Sequence, residues 1–358
     1  MFLFLTNHFS LVINIFLLGS PLCFAARSTP PTFTPKQTHT TVVNQDNKWI
    51  DVSGFFYSQK GSHVLGLSKL KKYFHRFGYL PSQDYNVSHN TFDATFESAG
   101  IHYQSRLGLP VTGMLEFETV SKIMAARCGV PDFHTAQTLH ATKDYVFFPG
   151  KPRWARHVPM KLTYAFSKEY LINYLKISDI KVVFKRAFGK WASVIPVSFI
   201  ETDDYGFADI RIGFYSGDHG DGEPFDGVLG VLAHSFSPES GKFHLDAAET
   251  WAIDFEMEKS PVAVDLESVA IHEIGHLLGL AHSPNKEAVM YATLKPRDKK
   301  VDLALDDIQG VQALYGSNPN FTFGSLLESD ISTNPAVNLR IRWFMWATLI
   351  LLWFLMFM

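Results

Sequence analysis

His272, Glu273, His276 and His282 stand at the spacing that a hydrolytic zinc centre requires, within His272-Glu273-Ile274-Gly275-His276-Leu277-Leu278-Gly279-Leu280-Ala281-His282-Ser283. On a helix, His272 and His276 lie one turn apart on the same face and can give imidazole nitrogens to one metal. Gly279 lets the helix stop, so that His282 can swing back as a third ligand and leave the fourth position to water. Glu273 is the candidate general base for that water. Five fixed positions over this stretch are far rarer than a bare His-Glu-x-x-His. Ile271, Leu277, Leu278 and Leu280 supply an apolar face that buries the helix.

A helix over roughly Val262–Ala281 must carry these groups, and its surroundings have α/β patterning. Lys161–Phe166, Val197–Ile200 and Asp209–Phe214 alternate as strands. Ser178–Val194 is an amphipathic helix with Ser178 as candidate N-cap, and Leu305–Tyr315 is a last helix stopped by Gly316. From about Gly61 a different unit is expected. Leu65, Leu67, Leu70, Tyr73, Phe74 and Phe77 recur at helical spacing, followed by Phe92, Phe96, Ile101 and Tyr103, then Leu107–Val111 and Phe117–Met124. This is a compact three-helix domain.

The chain has 358 residues, 46% hydrophobic and 19% charged, which leaves room for two folded domains and terminal segments. A net charge of −3 without a basic arm argues against nucleic acid as a partner. Residues 1–25 are apolar and end in small residues at Ala25-Ala26, as a secretory signal peptide does, although the usual cationic start is missing. Residues 26–60, rich in Thr, Pro and Gln in their first part, form a disordered lead. Residues 317–342 are a linker in which Ser329, Ser332, Thr333 and Asn334 offer an anchor-attachment site. The uncharged tail 343–358 is short for a membrane span. This order favours a glycolipid (GPI) anchor at the outer face of the plasma membrane, with a short C-terminal transmembrane segment as the alternative. Asn86 and Asn320 begin N-glycosylation sequons. Cys23 falls in the signal peptide, so the secreted chain would carry Cys128 alone and no disulfide.

The longer zinc motif is the metzincin form, and Val289-Met290-Tyr291 sits where that clan has its Met-turn. With Ala126-Arg127-Cys128-Gly129-Val130-Pro131-Asp132 and the run from Asp306-Asp307-Ile308 to Tyr315-Gly316, the chain resembles the matrix metalloproteinases (matrixins), the plant branch best. The resemblance covers about residues 61–316. It implies an α+β protein: a catalytic domain over 145–316 with a twisted, mostly parallel sheet and three helices, preceded over 61–144 by a small all-α, peptidoglycan-binding-like prodomain. The implied activity is that of a zinc metalloendopeptidase acting, as a monomer, on extracellular proteins or peptides after an activating protease cuts near Tyr145–Phe148.

The resemblance also implies residue roles. Cys128, within the switch 126–132, ligates the zinc of the precursor and displaces its water; Ala126 stands where the family usually has proline. His219, Asp221, His234 and His244 form a closed set suited to a structural zinc. Asp226, Gly227, Asp246 and Glu249 form an oxygen-rich calcium site. Met290 packs beneath the catalytic zinc. Residues 230–233 form an edge strand for an extended substrate, and the stretch after Met290 walls a hydrophobic pocket. Asp306 and Asp307 anchor the Met-turn and receive the new N-terminus.

Overall fold

A computed structural model describes residues 52–80, 89–132 and 145–322. The expected signal peptide at 1–25, Asn86, the candidate anchor-attachment residues 329–334 and the apolar tail 343–358 lie outside the described residues. Among the described residues, no helix is long and apolar enough to cross a membrane.

The helical unit contains α1 (Leu67–Arg76), α2 (Ala94–Arg106) and α3 (Phe117–Ile123). Aromatic side chains fill its centre: Phe74 meets Phe96 and Tyr103 edge-on, with ring centroids 5.1 and 5.2 Å apart. Asp93 caps α2 by accepting from the backbone N–H of Phe96 at 2.8 Å. Buried Gln104 holds the loop before α3, accepting from the N–H groups of Thr112 and Gly113 and donating to the Met114 carbonyl. The packed structure begins earlier than composition suggests. A 3-10 turn at Val52–Phe55 buries Phe55 in the aromatic core, so residues 52–60 belong to this unit.

The remaining elements are β1 (Arg127–Cys128), β2 (Met160–Phe166), α4 (Ile177–Val194), β3 (Val197–Glu201), β4 (Ile210–Tyr215), β5 (Val231–Ser235), β6 (Lys242–Asp246), β7 (Trp251–Ala252), β8 (Val264–Asp265), α5 (Leu266–Leu277) and α6 (Leu305–Tyr315). The six-stranded sheet runs β1-β5-β6-β4-β2-β3, parallel throughout except for the β5–β6 pair. Its inner strands are largely apolar because helices cover them. α4 lays Ile180, Val183, Phe184, Ala187, Phe188 and Trp191 into this core. All twelve residues of α5 are buried, which explains why the helix is apolar on nearly every side. The α+β class, the mostly parallel sheet and its three helices therefore agree with expectation.

Two local expectations change. The cap position of α4 is Lys176, and Ser178 instead lies inside the first turn and donates to Asp179. α5 is shorter than 262–281 because Val264 and Asp265 pair with Trp251 and Ala252 and are held extended. Asp265 then caps the helix through the Ser268 N–H at 2.7 Å. At the other end Gly279 takes a positive φ of 106°. A Cβ there would fall 2.2 Å from the Pro152 carbonyl oxygen, so both conformation and space require glycine.

Trp191 joins the two central helices, its indole N–H donating to the Ile271 carbonyl at 2.9 Å while the ring is fully buried. Trp191→Ala should lower unfolding free energy by about 3–5 kcal/mol, measured by chemical denaturation.

Candidate metal centres and the cleft between them

α5 presents His272 and His276, and the turn at Gly279 returns His282 to the same point. Leu280 N–H bonds back to the Gly275 carbonyl, and Ala281 N–H to the Val146 carbonyl. Each ring is oriented through Nδ1: His272 toward the Val289 carbonyl at 2.7 Å, His276 toward the Leu280 carbonyl at 2.8 Å, and His282 toward Asp132 Oδ1 at 2.7 Å. With Nδ1–H donating, Nε2 carries the free lone pair on all three. The Nε2 atoms of His276 and His282 lie 3.2 Å apart. Burial lowers the His272 pKa to about 3, so its ring is a neutral donor. His272 Nε2 is buried with no hydrogen-bond partner, and the buried Glu273 carboxylate has only the Cys128 thiol and the Ser235 hydroxyl beside it. Burial pushes the Glu273 carboxyl up to about 7. Imidazole lone pairs aimed at one point, one of them without any partner, fit a metal ion.

Cys128 completes this cluster. Its Sγ is 3.4 Å from His276 Nε2, and the donor atoms of Cys128, His272, His276 and His282 all lie within 4.8 Å of one another. Backbone bonds on both sides bring it there. β1 runs parallel to β5, with Arg127 N–H on the Gly230 carbonyl and Gly129 N–H on the Ala233 carbonyl. On its other side Cys128 N–H meets the Ala292 carbonyl, and Leu294 N–H meets the Ala126 carbonyl. Arg127 is buried, its guanidinium 3.5 Å from the Phe77 ring centroid and 2.8 Å from Asp132. Although burial opposes its ionisation, the Arg127 charge and the His282 hydrogen bond hold Asp132 well below the usual carboxylate range.

The second cluster centres on Asp221, whose Oδ2 is 2.9 Å from His219 Nε2, 2.8 Å from His234 Nε2 and 2.8 Å from His244 Nδ1. His234 and His244 face each other across the β5–β6 ladder, and the other two residues come from the preceding loop. Burial lowers both strand imidazoles to about 4, again neutral donors. The acids beside it are arranged differently. Asp226 accepts from Val231 N–H, Asp246 from Gly227 N–H and Glu249 from Leu229 N–H. Burial, reinforced by the neighbouring carboxylates, raises Asp246 to about 6 and Glu249 to about 8. Among the described residues, only the two histidine clusters bring three or more such donors within 4.8 Å, so the acids form a looser ring around the 227–231 turn. Asp209 is engaged elsewhere, binding Thr163 and Arg156.

The matrixin family profile matches residues 153–316, and a peptidoglycan-binding domain profile matches residues 66–123. The chain is 60% identical to Metalloendoproteinase 4-MMP of Arabidopsis thaliana over 80% of its own length and 83% of that protein's. It is 51% identical to Metalloendoproteinase 1-MMP of Arabidopsis thaliana, over 90% of this chain and 89% of the relative. For Metalloendoproteinase 1 of Glycine max the figures are 45% identity, 72% of this chain and 85% of the relative. The chain belongs to the matrixin family. It is a zinc metalloendopeptidase of the plant matrix metalloproteinase type, acting on protein substrates, and its cofactors are zinc and calcium.

Two features of this matrixin site, at Asp132 and Gly275, were unassigned in sequence, whereas an anchoring of the Met-turn by Asp307 was expected. Asp132 reaches His282 across a separation of 150 residues, and only its place in the Arg-Cys-Gly-Val-Pro-Asp motif hinted at use. Asp307, from the first turn of α6, accepts from the N–H groups of Val289 and Met290 and from Ala304, fixing the Met-turn. Gly275 matters because Met290 lies directly beneath it: a Cβ there would sit 2.2 Å from the sulfur. Gly275→Ala is therefore expected to cost about 1–3 kcal/mol of stability through overpacking under the histidine-bearing helix, read by thermal or denaturant unfolding.

Proposed function

We propose that this matrixin is a secreted, surface-displayed zymogen in which Cys128 holds the catalytic centre inactive until the helical prodomain is removed. The convergence of the Cys128 thiol with His272, His276 and His282 carries this reading. Thiolate is a strong zinc ligand and would fill the position that the catalytic water needs. The prodomain supports the arrangement with its own contacts to the protease. Arg106 donates to the His282 carbonyl, Lys122 to Thr293, and Arg76 to the Pro224 carbonyl while pairing with Glu223. These use the prodomain face for docking, which favours an inhibitory role over glycan binding.

In the active enzyme, His272, His276 and His282 would hold the catalytic zinc, His219, Asp221, His234 and His244 a structural zinc, and Asp226, Asp246, Glu249 and the Gly227 carbonyl calcium. Bound there, the catalytic zinc supplies Lewis acidity for the scissile carbonyl and its attacking water. Glu273, buried beside His272 and with a carboxyl near neutrality, takes the proton and returns it to the leaving amine. Once residues 126–129 leave, the main-chain groups of β5 and Ala292 are free to pair with an extended peptide. Leu232, Val269, Val289 and Leu294 then line the pocket for the side chain after the cleaved bond. In the precursor, residues 145–148 pack beside 279–281, close to where activation must cut. Secretion and lipid anchoring are supported by the two apolar ends of the sequence, and glycosylation by exposed Asn320.

Full-length precursor should be silent on a quenched peptide and gain activity when a thiol-reactive mercurial is added. Cys128→Ser should be active without treatment; equal activity of wild type before and after the mercurial would remove the latch. Separately, Glu273→Ala in the processed enzyme is expected to retain zinc and lose roughly 10²–10⁴-fold in kcat/KM. Full activity in that variant would sink the assignment of the base.

A further inference from the structure

We propose that Asp132 is a positioning residue for the catalytic metal, so that the prodomain grips the centre twice: through the Cys128 thiol and through a carboxylate on the outer nitrogen of His282. The proposal rests on the reading of His272, His276 and His282 as the catalytic zinc ligands.

The three imidazoles are not supported alike. His272 and His276 donate to the neutral carbonyls of Val289 and Leu280, which belong to the protease and remain after processing. His282 donates to Asp132, which belongs to the segment that is removed. Both side chains of this pair are 1% exposed. Asp132 is also fully engaged: Oδ1 accepts from Arg127 at 2.8 Å, Oδ2 accepts from the Tyr79 hydroxyl at 2.6 Å, and its N–H donates to the Phe77 carbonyl. A carboxylate held by two donors besides the imidazole, on a backbone tied down through its own N–H, cannot turn away from the imidazole, and it pairs with a buried guanidinium.

An ionised carboxylate on Nδ1–H fixes the tautomer and makes Nε2 a more basic donor than a peptide carbonyl does. In the precursor His282 is thus the best-supported ligand of the three. When residues up to the cleavage site leave, the thiol and this carboxylate leave together, and His282 reverts to a weaker donor. The precursor should therefore retain its ion more firmly than the thiol alone explains, and processing should loosen the metal's electronic support as it opens the coordination position.

The test uses the full-length precursor, wild type and Asp132→Asn, loaded with zinc or with cobalt(II). Zinc release to a chromogenic chelator is timed, and the thiolate-to-cobalt absorption band reports whether Cys128 is still bound. Expected is release roughly 10–100-fold faster in Asp132→Asn with the thiolate band retained and the cobalt d–d bands shifted. Unchanged release, or faster release only in proportion to loss of the thiolate band, would overturn the proposal, the second result making Asp132 a structural prop for the loop. Wild-type precursor that binds no zinc would instead overturn the ligand assignment beneath it.

Discussion

Everything around α5 answers one requirement: three imidazoles and a carboxylate must be buried together, unprotonated at the nitrogens that face each other, and without leaving their outer nitrogens unpaired. A buried polar atom without a partner costs on the order of 1–3 kcal/mol, so each Nδ1 needs its own acceptor at a fixed place. Those acceptors come from three separate segments: the Met-turn carbonyl of Val289, the Leu280 carbonyl just past the helix, and Asp132. The Met-turn is itself held by Asp307, which links α6 to the orientation of His272. Gly275 and Gly279 then appear as space requirements of this assembly, one letting the Met290 sulfur approach α5 and the other letting the chain turn under Pro152.

The same economy governs β5. One of its neighbours in the sheet is β6, which brings His234 and His244 together across the strands; the other is the two-residue strand carrying Cys128. One short strand thus touches both histidine clusters and forms a wall of the cleft. The turn before it, with the Asp226, Asp246 and Glu249 carboxylates bound to its N–H groups, sets where its main-chain groups point. Carboxyl groups raised by burial and by each other are an unfavourable arrangement that a cation would relieve.

Local patterns were legible in the sequence. The i, i+4 histidines, the glycine stop and the apolar face of α5 announce themselves because a helix repeats every few residues, and α6 was bounded correctly for the same reason. Strands β2 and β4 were found to within a residue or so by alternation. What failed depends on partners distant in the chain. α5 starts at Leu266 because β8 is paired with β7, and nothing in residues 262–265 announces that pairing. Ser178 has the right chemistry for a cap, but the chain enters the helix two residues earlier, at Lys176. A two-residue strand such as β1 has no periodicity to detect. His282 and Asp132 were both in view, one in each motif, yet their contact exists only because the sheet brings 127–128 beside 231–233.

That contact also bears on how charge is distributed between the helical unit and the protease domain. Arg127, Asp132, Tyr79 and Tyr73 form a hydrogen-bonded set inside the interface, with Arg127 stacked on Phe77. A buried ion pair of this kind contributes little net stability, since desolvation offsets the attraction, but removing one partner strands a charge. Its value lies in geometry: Asp132 can reach His282 only while Arg127 and Tyr79 hold it, and Arg127 is placed by the aromatic core of the helical unit. The fold of that small unit is thereby coupled to the orientation of a single imidazole in the protease, through one carboxylate of the segment that joins them.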